Sequence, residues 1–144
     1  MYKNDNDLFF TCSLIEYIGR TCKLKRWNVV KALGEECIAR IYENAGVLHC
    51  EPIEKNADVY IDMFHIEKGD FDNVTNCQYE VPDYWTIGEV YARLIEDIRG
   101  DDVILALSDV YESFISEGIS NYNSDLFYQT REYISECYKA GKIL

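Results

Sequence analysis

The stretch WTIGEVYARLIEDIRG, from Trp85 to Gly100, decides the fold. Ile87, Val90, Tyr91, Leu94, Ile95 and Ile98 recur at i, i+3, i+4, i+7, i+8 and i+11, one apolar stripe at the helical period. Thr86 and Glu89 have the spacing of a capping box, in which each side chain satisfies a first-turn amide that lacks an intrahelical partner. Trp85 and Val90, either side of that cap, are placed to pack as a hydrophobic staple, and Arg99 with Gly100 closes the run. The pattern predicts a central core helix against which the others pack.

Around this helix the chain has 144 residues, 48% of them hydrophobic and 14% aromatic, enough core formers to offset the entropy of ordering a packed domain. Two prolines, Pro52 and Pro82, leave long helical runs uninterrupted. No apolar run reaches bilayer length, and the acidic first seven residues lack the basic-then-apolar pattern of a signal peptide, so a cytoplasmic protein is expected. The six cysteines (Cys12, Cys22, Cys37, Cys50, Cys77, Cys137) include no C-x-x-C pair and read as reduced thiols. Cys12, Cys37 and Cys137 lie beside apolar helix positions, where cysteine acts as a small core hydrophobe.

The net charge of -12 is unevenly spread. Residues 1–50 carry seven Lys/Arg against six Asp/Glu, residues 51–100 four against twelve, and residues 101–144 three against eight. Such a field repels a polyanion over most of the surface and favours a basic partner. Only the first third is compatible with nucleic acid.

From the N-terminus, Asn6 or Asp7 is placed to cap a helix reaching Arg20, with Leu8, Phe9, Cys12, Ile15 and Ile18 inward. Lys23, Lys25 and Arg26 form a basic link to a helix from Trp27 to Leu33, stopped at Gly34. A third follows from Glu35 to Asn44, stopped at Gly46. A fourth is expected from Pro52 to Phe64. Residues 69–84 are the least helical part, one long loop with a possible short extended segment at Cys77, Tyr79 and Val81. Beyond the central helix, Asp101 or Asp102 caps a run to Ser116 that Gly118 ends. Ser124 and Asp125 open a last helix to Ala140, stopped at Gly141. The expectation is an all-α protein, a single helical domain over residues 1–144 built as a compact bundle of six to seven helices. Its halves are a near-neutral, hairpin-like 1–50 and a strongly acidic 51–144.

Motifs for chemistry are sparse. His49, Cys50, His65 and Cys77 are the right types for zinc, but their spacing fits no finger pattern, and half-buried histidines with core thiols are the plainer account. Asp70, Asp72 and Asn76 are spaced like the start of a calcium loop, yet Val74 and Thr75 occupy positions that need an oxygen ligand and a glycine. No G-x-S-x-G, H-E-x-x-H, Walker or dinucleotide fingerprint occurs. No cofactor, metal or catalytic residue is assigned. Among the twelve tyrosines, Tyr60, Tyr91, Tyr111 and Tyr138 fall on apolar stripes, whereas Tyr79, Tyr84, Tyr122 and Tyr128 fall in or near loops beside acids. Tyrosine anchors rimmed by carboxylates have the composition of a protein-binding face.

Three stretches within residues 8–65 carry a resemblance: FFTCSLIEY at Phe9 to Tyr17, NVVKALG at Asn28 to Gly34, and the Leu48-His49 pair leading into the helix with Tyr60 and Ile61. In these the chain resembles a family of small uncharacterised bacterial helical proteins encoded beside ADP-ribosyltransferase-like genes. The resemblance implies a toxin-antitoxin type of neighbourhood and a neutralising role, and it brings no functional residues with it.

The function expected on these grounds is a non-enzymatic acidic interaction module that binds and neutralises a basic protein partner, as an antitoxin, immunity protein or inhibitor does. Asp70, Asp72, Tyr79, Glu80, Asp83 and Tyr84 are its candidate contacts. One alternative is a helix-turn-helix DNA-binding regulator using residues 20–45, with Lys23, Lys25, Arg26, Lys31 and Arg40 on phosphates. Another is an orphan enzyme without a recognisable motif, for which a pocket with convergent carboxylates would argue. No membrane partner is expected.

Overall fold

The computed structural model describes residues 5–144, and its architecture grows from two helices that cross at a glycine. Helix α1 (Asn6–Cys22) begins at Asp5, whose carboxylate accepts the Leu8 amide at 3.0 Å. Helix α6 (Tyr84–Ile98) crosses it at Gly88, where a Cβ would lie 2.8 Å from Ser13 Cα. Only glycine permits that approach. Leu8, Cys12, Leu14, Ile15 and Ile18 of α1 have no exposed surface at all. One flank is covered by α6 and the rest by α2 (Arg26–Leu33), α3 (Glu35–Glu43), α4 (Ala45–Leu48) and α5 (Ile53–Met63).

The centre of the core is therefore α1 rather than the helix that carries the clearest stripe, and α6 is its principal partner. The stripe itself is real: Ile87, Tyr91, Leu94 and Ile95 are buried, with Val90 and Ile98 half-covered at its edges. Tyr91 stacks on Tyr111 of α7 (Val103–Glu112), ring centroids 4.1 Å apart, which fixes α7 against α6. After α7 come α8 (Phe114–Ser120), a 3-10 turn at Leu126–Tyr128 and α9 (Arg131–Ala140). Arg131 holds α9 to α6 through a forked pair with Asp97 (2.8 and 2.9 Å) and a bond to Glu96 (3.0 Å).

Nine α-helices occur among the described residues, more than the six to seven expected, because several long runs are broken. Ala45–Leu48 is a separate short helix that contains Gly46, so that glycine does not stop α3. Ser113 takes an extended backbone between α7 and α8, and Gly118 lies inside α8. The last helix starts at Arg131 behind the Thr130 cap, since residues 126–128 form the tighter turn. Helix α6 starts three residues earlier than the capping-box reading: Asp83 is the cap and accepts the Trp85 amide at 2.7 Å, which puts Thr86 inside the helix. Trp85 lies against Phe9 (centroids 5.4 Å) and Tyr84 (5.2 Å), while Glu89 pairs with Arg93. Gly141 ends α9 in the left-handed conformation, as its sequence position implies. Residues 64–83 contain no strand, so Cys77, Tyr79 and Val81 belong to an irregular loop. No helix among the described residues is long and apolar enough to cross a membrane.

Candidate functional site: an acidic-lipped cleft over a buried ion pair

Glu16 sits on the inward side of α1, flanked by Ile15 and Ile18, and its carboxylate has almost no exposed surface. A charge so placed needs a partner brought to it. Arg26, the first residue of α2, supplies one: its Nε and one terminal nitrogen donate to the two Glu16 oxygens at 2.9 and 3.0 Å. The chain makes room for this at Gly19, where a Cβ would lie 2.6 Å from Arg26 Nε. Arg26 donates further to Leu24 O (2.6 Å) and Asn73 Oδ1 (3.1 Å). Arg20 adds a third bond to Glu16 at 2.9 Å and reaches Pro82 O at 2.6 Å, and the Tyr122 hydroxyl donates to Glu16 as well. Burial opposes the Glu16 charge, but Arg26, Arg20 and Tyr122 together hold its carboxyl down at about 2. Burial likewise opposes the Arg26 charge, and Glu16 more than reverses that effect. Burial and the adjacent Glu16 carboxylate push the Tyr122 hydroxyl up.

Arg26, Asn73 and Tyr122 of this network form the floor of an open cleft of about 820 Å³. One wall is the start of α2, a second is the loop at residues 70–76, and the third is the α7–α8 junction with residues 120–123. The loop is fastened to the α1–α2 link by backbone bonds, Gly69 N to Cys22 O at 2.8 Å and Phe71 N to Lys23 O at 2.9 Å. Asn73 closes the circuit by donating to Ser120 O at 2.9 Å. Asp70, Asp72, Glu112 and Glu117 stand on the cleft wall and lip, against Lys25 and the neutralised Arg26. Trp27, Phe71 and Phe114 supply aromatic surface.

Of the contacts expected from sequence, the structure brings only Asp70 and Asp72 to this cleft. Asp72 is engaged, accepting the Thr75 amide at 2.9 Å and lying 3.7 Å from Lys23 Nζ. Asp83 is the α6 cap, and Tyr84 packs edge-on against Tyr17 with centroids 5.1 Å apart. Tyr79 and Glu80 are exposed away from the cleft, Tyr79 by 68%. Tyr122 is buried in the floor rather than displayed on a rim, and of the four stripe tyrosines Tyr91 and Tyr111 are buried while Tyr60 and Tyr138 are half-covered. Cys12, Cys22 and Cys137 are the buried thiols, with Cys37 only partly covered.

The zinc-type residues lie apart in role. His49 Nδ1 is 3.1 Å from Ala45 O, the exposed Cys50 thiol faces Gly46 O, His65 is exposed with a left-handed backbone, and the Cys77 thiol faces Tyr79 O and Tyr122 O. Among the described residues no three of His, Cys, Asp and Glu gather closely enough to hold a metal ion. Of the five cations assigned to phosphates in the DNA-binding alternative, Arg26 is 1% exposed and committed to Glu16. Lys23 pairs with Asp72, Lys25 with Glu117 and Arg40 with Glu36, and Lys31 lies over the Trp27 ring.

Sequence reasoning missed Glu16, Glu112, Phe114 and Glu117, and it gave Arg26 and Tyr122 other roles, on a phosphate and among the loop tyrosines. One signal was present: an acid on the inward face of an otherwise apolar helix demands a buried cation, and Arg26 follows one turn beyond that helix. Comparison with protein families, curated proteins and solved structures finds no match to this chain.

Proposed function

We propose that this chain is a non-enzymatic acidic interaction module that binds and restrains a basic protein partner, in the manner of an antitoxin, immunity protein or inhibitor. The observation that carries this reading is the open cleft itself, with four carboxylates around it and the buried Arg26 beneath it spent on Glu16. It sits in a chain whose residues 51–144 carry seven basic against twenty acidic side chains. Complementary charge of this kind steers association and rejects polyanions. Glu16, Arg26 and Tyr122 spend their polar atoms on one another at the floor, which favours binding over acid-base turnover.

Affinity capture from the native host in moderate salt, with mass spectrometry of what is retained, tests the proposal. One stoichiometric basic protein, lost progressively as salt rises, is expected. Recovery of nucleic acid that nuclease removes, or of no protein, would overturn it.

A further inference from the structure

The cleft already holds a cation of its own. Lys25 Nζ lies 3.6 Å from Glu117 Oε1 across the mouth, joining the start of α2 to α8, with both side chains more than half exposed. A pair so wet is weak and readily exchanged. On the same mouth Asp70 and Glu112 make no ion pair or side-chain hydrogen bond among the described residues. Phe114, two residues after Glu112, is 37% exposed and stacks on no ring or cation among those residues. The mouth thus offers two unspent carboxylates, a third held by a displaceable lysine, and an open aromatic face.

A guanidinium suits each of these groups. It is a cation with several divergent N–H donors for carboxylates and a flat, weakly hydrated face that stacks on a ring, whereas an ammonium serves the charge and neglects the plane. The floor contains an internal precedent, since the Arg26 guanidinium pairs with Glu16 while lying 5.9 Å from the Phe71 ring centroid. We propose that the cleft takes an arginine side chain projected from an exposed segment of the basic partner, the guanidinium displacing Lys25 from Glu117 and lying among Asp70, Glu112 and Phe114. This rests on the reading of the chain as a module for a basic protein and adds where, and by which side chain, that protein is gripped.

The test uses the full chain and a fluorescein-labelled, end-blocked peptide of alternating glycine and arginine, read by anisotropy at low salt. Binding is expected, with none for the matching citrulline peptide, which keeps the shape and loses the charge. Asp70→Asn, Glu112→Gln and Phe114→Ala should each weaken it by about threefold to fivefold. Lys25→Gln should tighten it, a change of opposite sign that a merely structural role would not give. The control is Asp58→Asn with Asp62→Asn, two exposed acids on α5 outside the cleft, which should have little effect. If the α5 pair weakens binding as much as Asp70→Asn combined with Glu112→Gln, the acidic module stands and the arginine site falls. The arginine site also falls, and the module stands, if the peptide fails to bind while host capture yields a basic protein. Displacement of the peptide by an equal concentration of spermine would overturn the proposal in favour of a free polyamine.

Discussion

Arg26 and Glu16 illustrate how much one side chain is worth when its partner is out of water. Removing the guanidinium in Arg26→Met leaves a carboxylate with almost no exposure facing only Arg20 and a tyrosine, and should cost about 3–5 kcal/mol in urea denaturation at neutral pH. Adding Glu16→Leu to that variant should restore most of the loss, because two apolar groups need no compensation. The pH dependence has a definite sign. Glu16 titrates at about 2 in the fold against an ordinary 4.5, so its contribution is complete above pH 4.5 and disappears as the pH falls toward 2. The stability gap between the native protein and Glu16→Gln should close across that window. The cysteines divide by the same physics: burial pushes the Cys12 thiol up to about 12, whereas Cys50 is exposed. A disulfide exchange reagent at pH 8 should therefore label Cys50 in the native protein and Cys12 only after unfolding.

For single elements, the sequence places helices well and their ends less well. The apolar stripe of α6 survives intact, because a stripe is set by side chains that the core must bury whatever the exact start. Its cap does not, because Asp83 and Thr86 both carry an oxygen competent to accept a first-turn amide, and the approach of Phe9 and Tyr17 to Trp85 and Tyr84 chooses between them. Asp83→Ala should cost about 1 kcal/mol and Thr86→Ala well under half that, measured by thermal melting. The reverse order would restore the capping box. Ser113 was illegible for a different reason: Val110, Tyr111, Phe114 and Ile115 continue the helical period straight through it, and periodicity does not register a single extended residue. At the α1–α6 crossing, Gly88→Ala should cost about 1–3 kcal/mol, since its new Cβ would meet the backbone of Ser13 rather than the end of a flexible side chain.

Over the whole molecule, charge was legible and convergence was not. Counting acids along the chain locates an acidic surface, but nothing in a one-dimensional pattern brings Glu112 and Glu117 of two late helices opposite Asp70 of a loop. That juxtaposition depends on residues 69–73 being fastened to α1 and to Ser120, through the Gly69 and Phe71 amides and the Asn73 side chain. Native-state hydrogen exchange should accordingly show the Gly69 and Phe71 amides protected like helix amides, although they lie in the longest loop. Rapid exchange there would mean that the cleft opens in solution and that its lip is not preorganised.

The pairing of Glu16 with Tyr122 spans 106 residues. Arg26 lies only 10 residues from Glu16, but Tyr122 and the covering helix α6 are distant in sequence. Closing α1 into the core therefore depends on contacts of long sequence separation, whose loop-closure entropy slows folding. Refolding from urea should accordingly be slow for an all-helical protein, with the apolar face of α1 exposed until those contacts form.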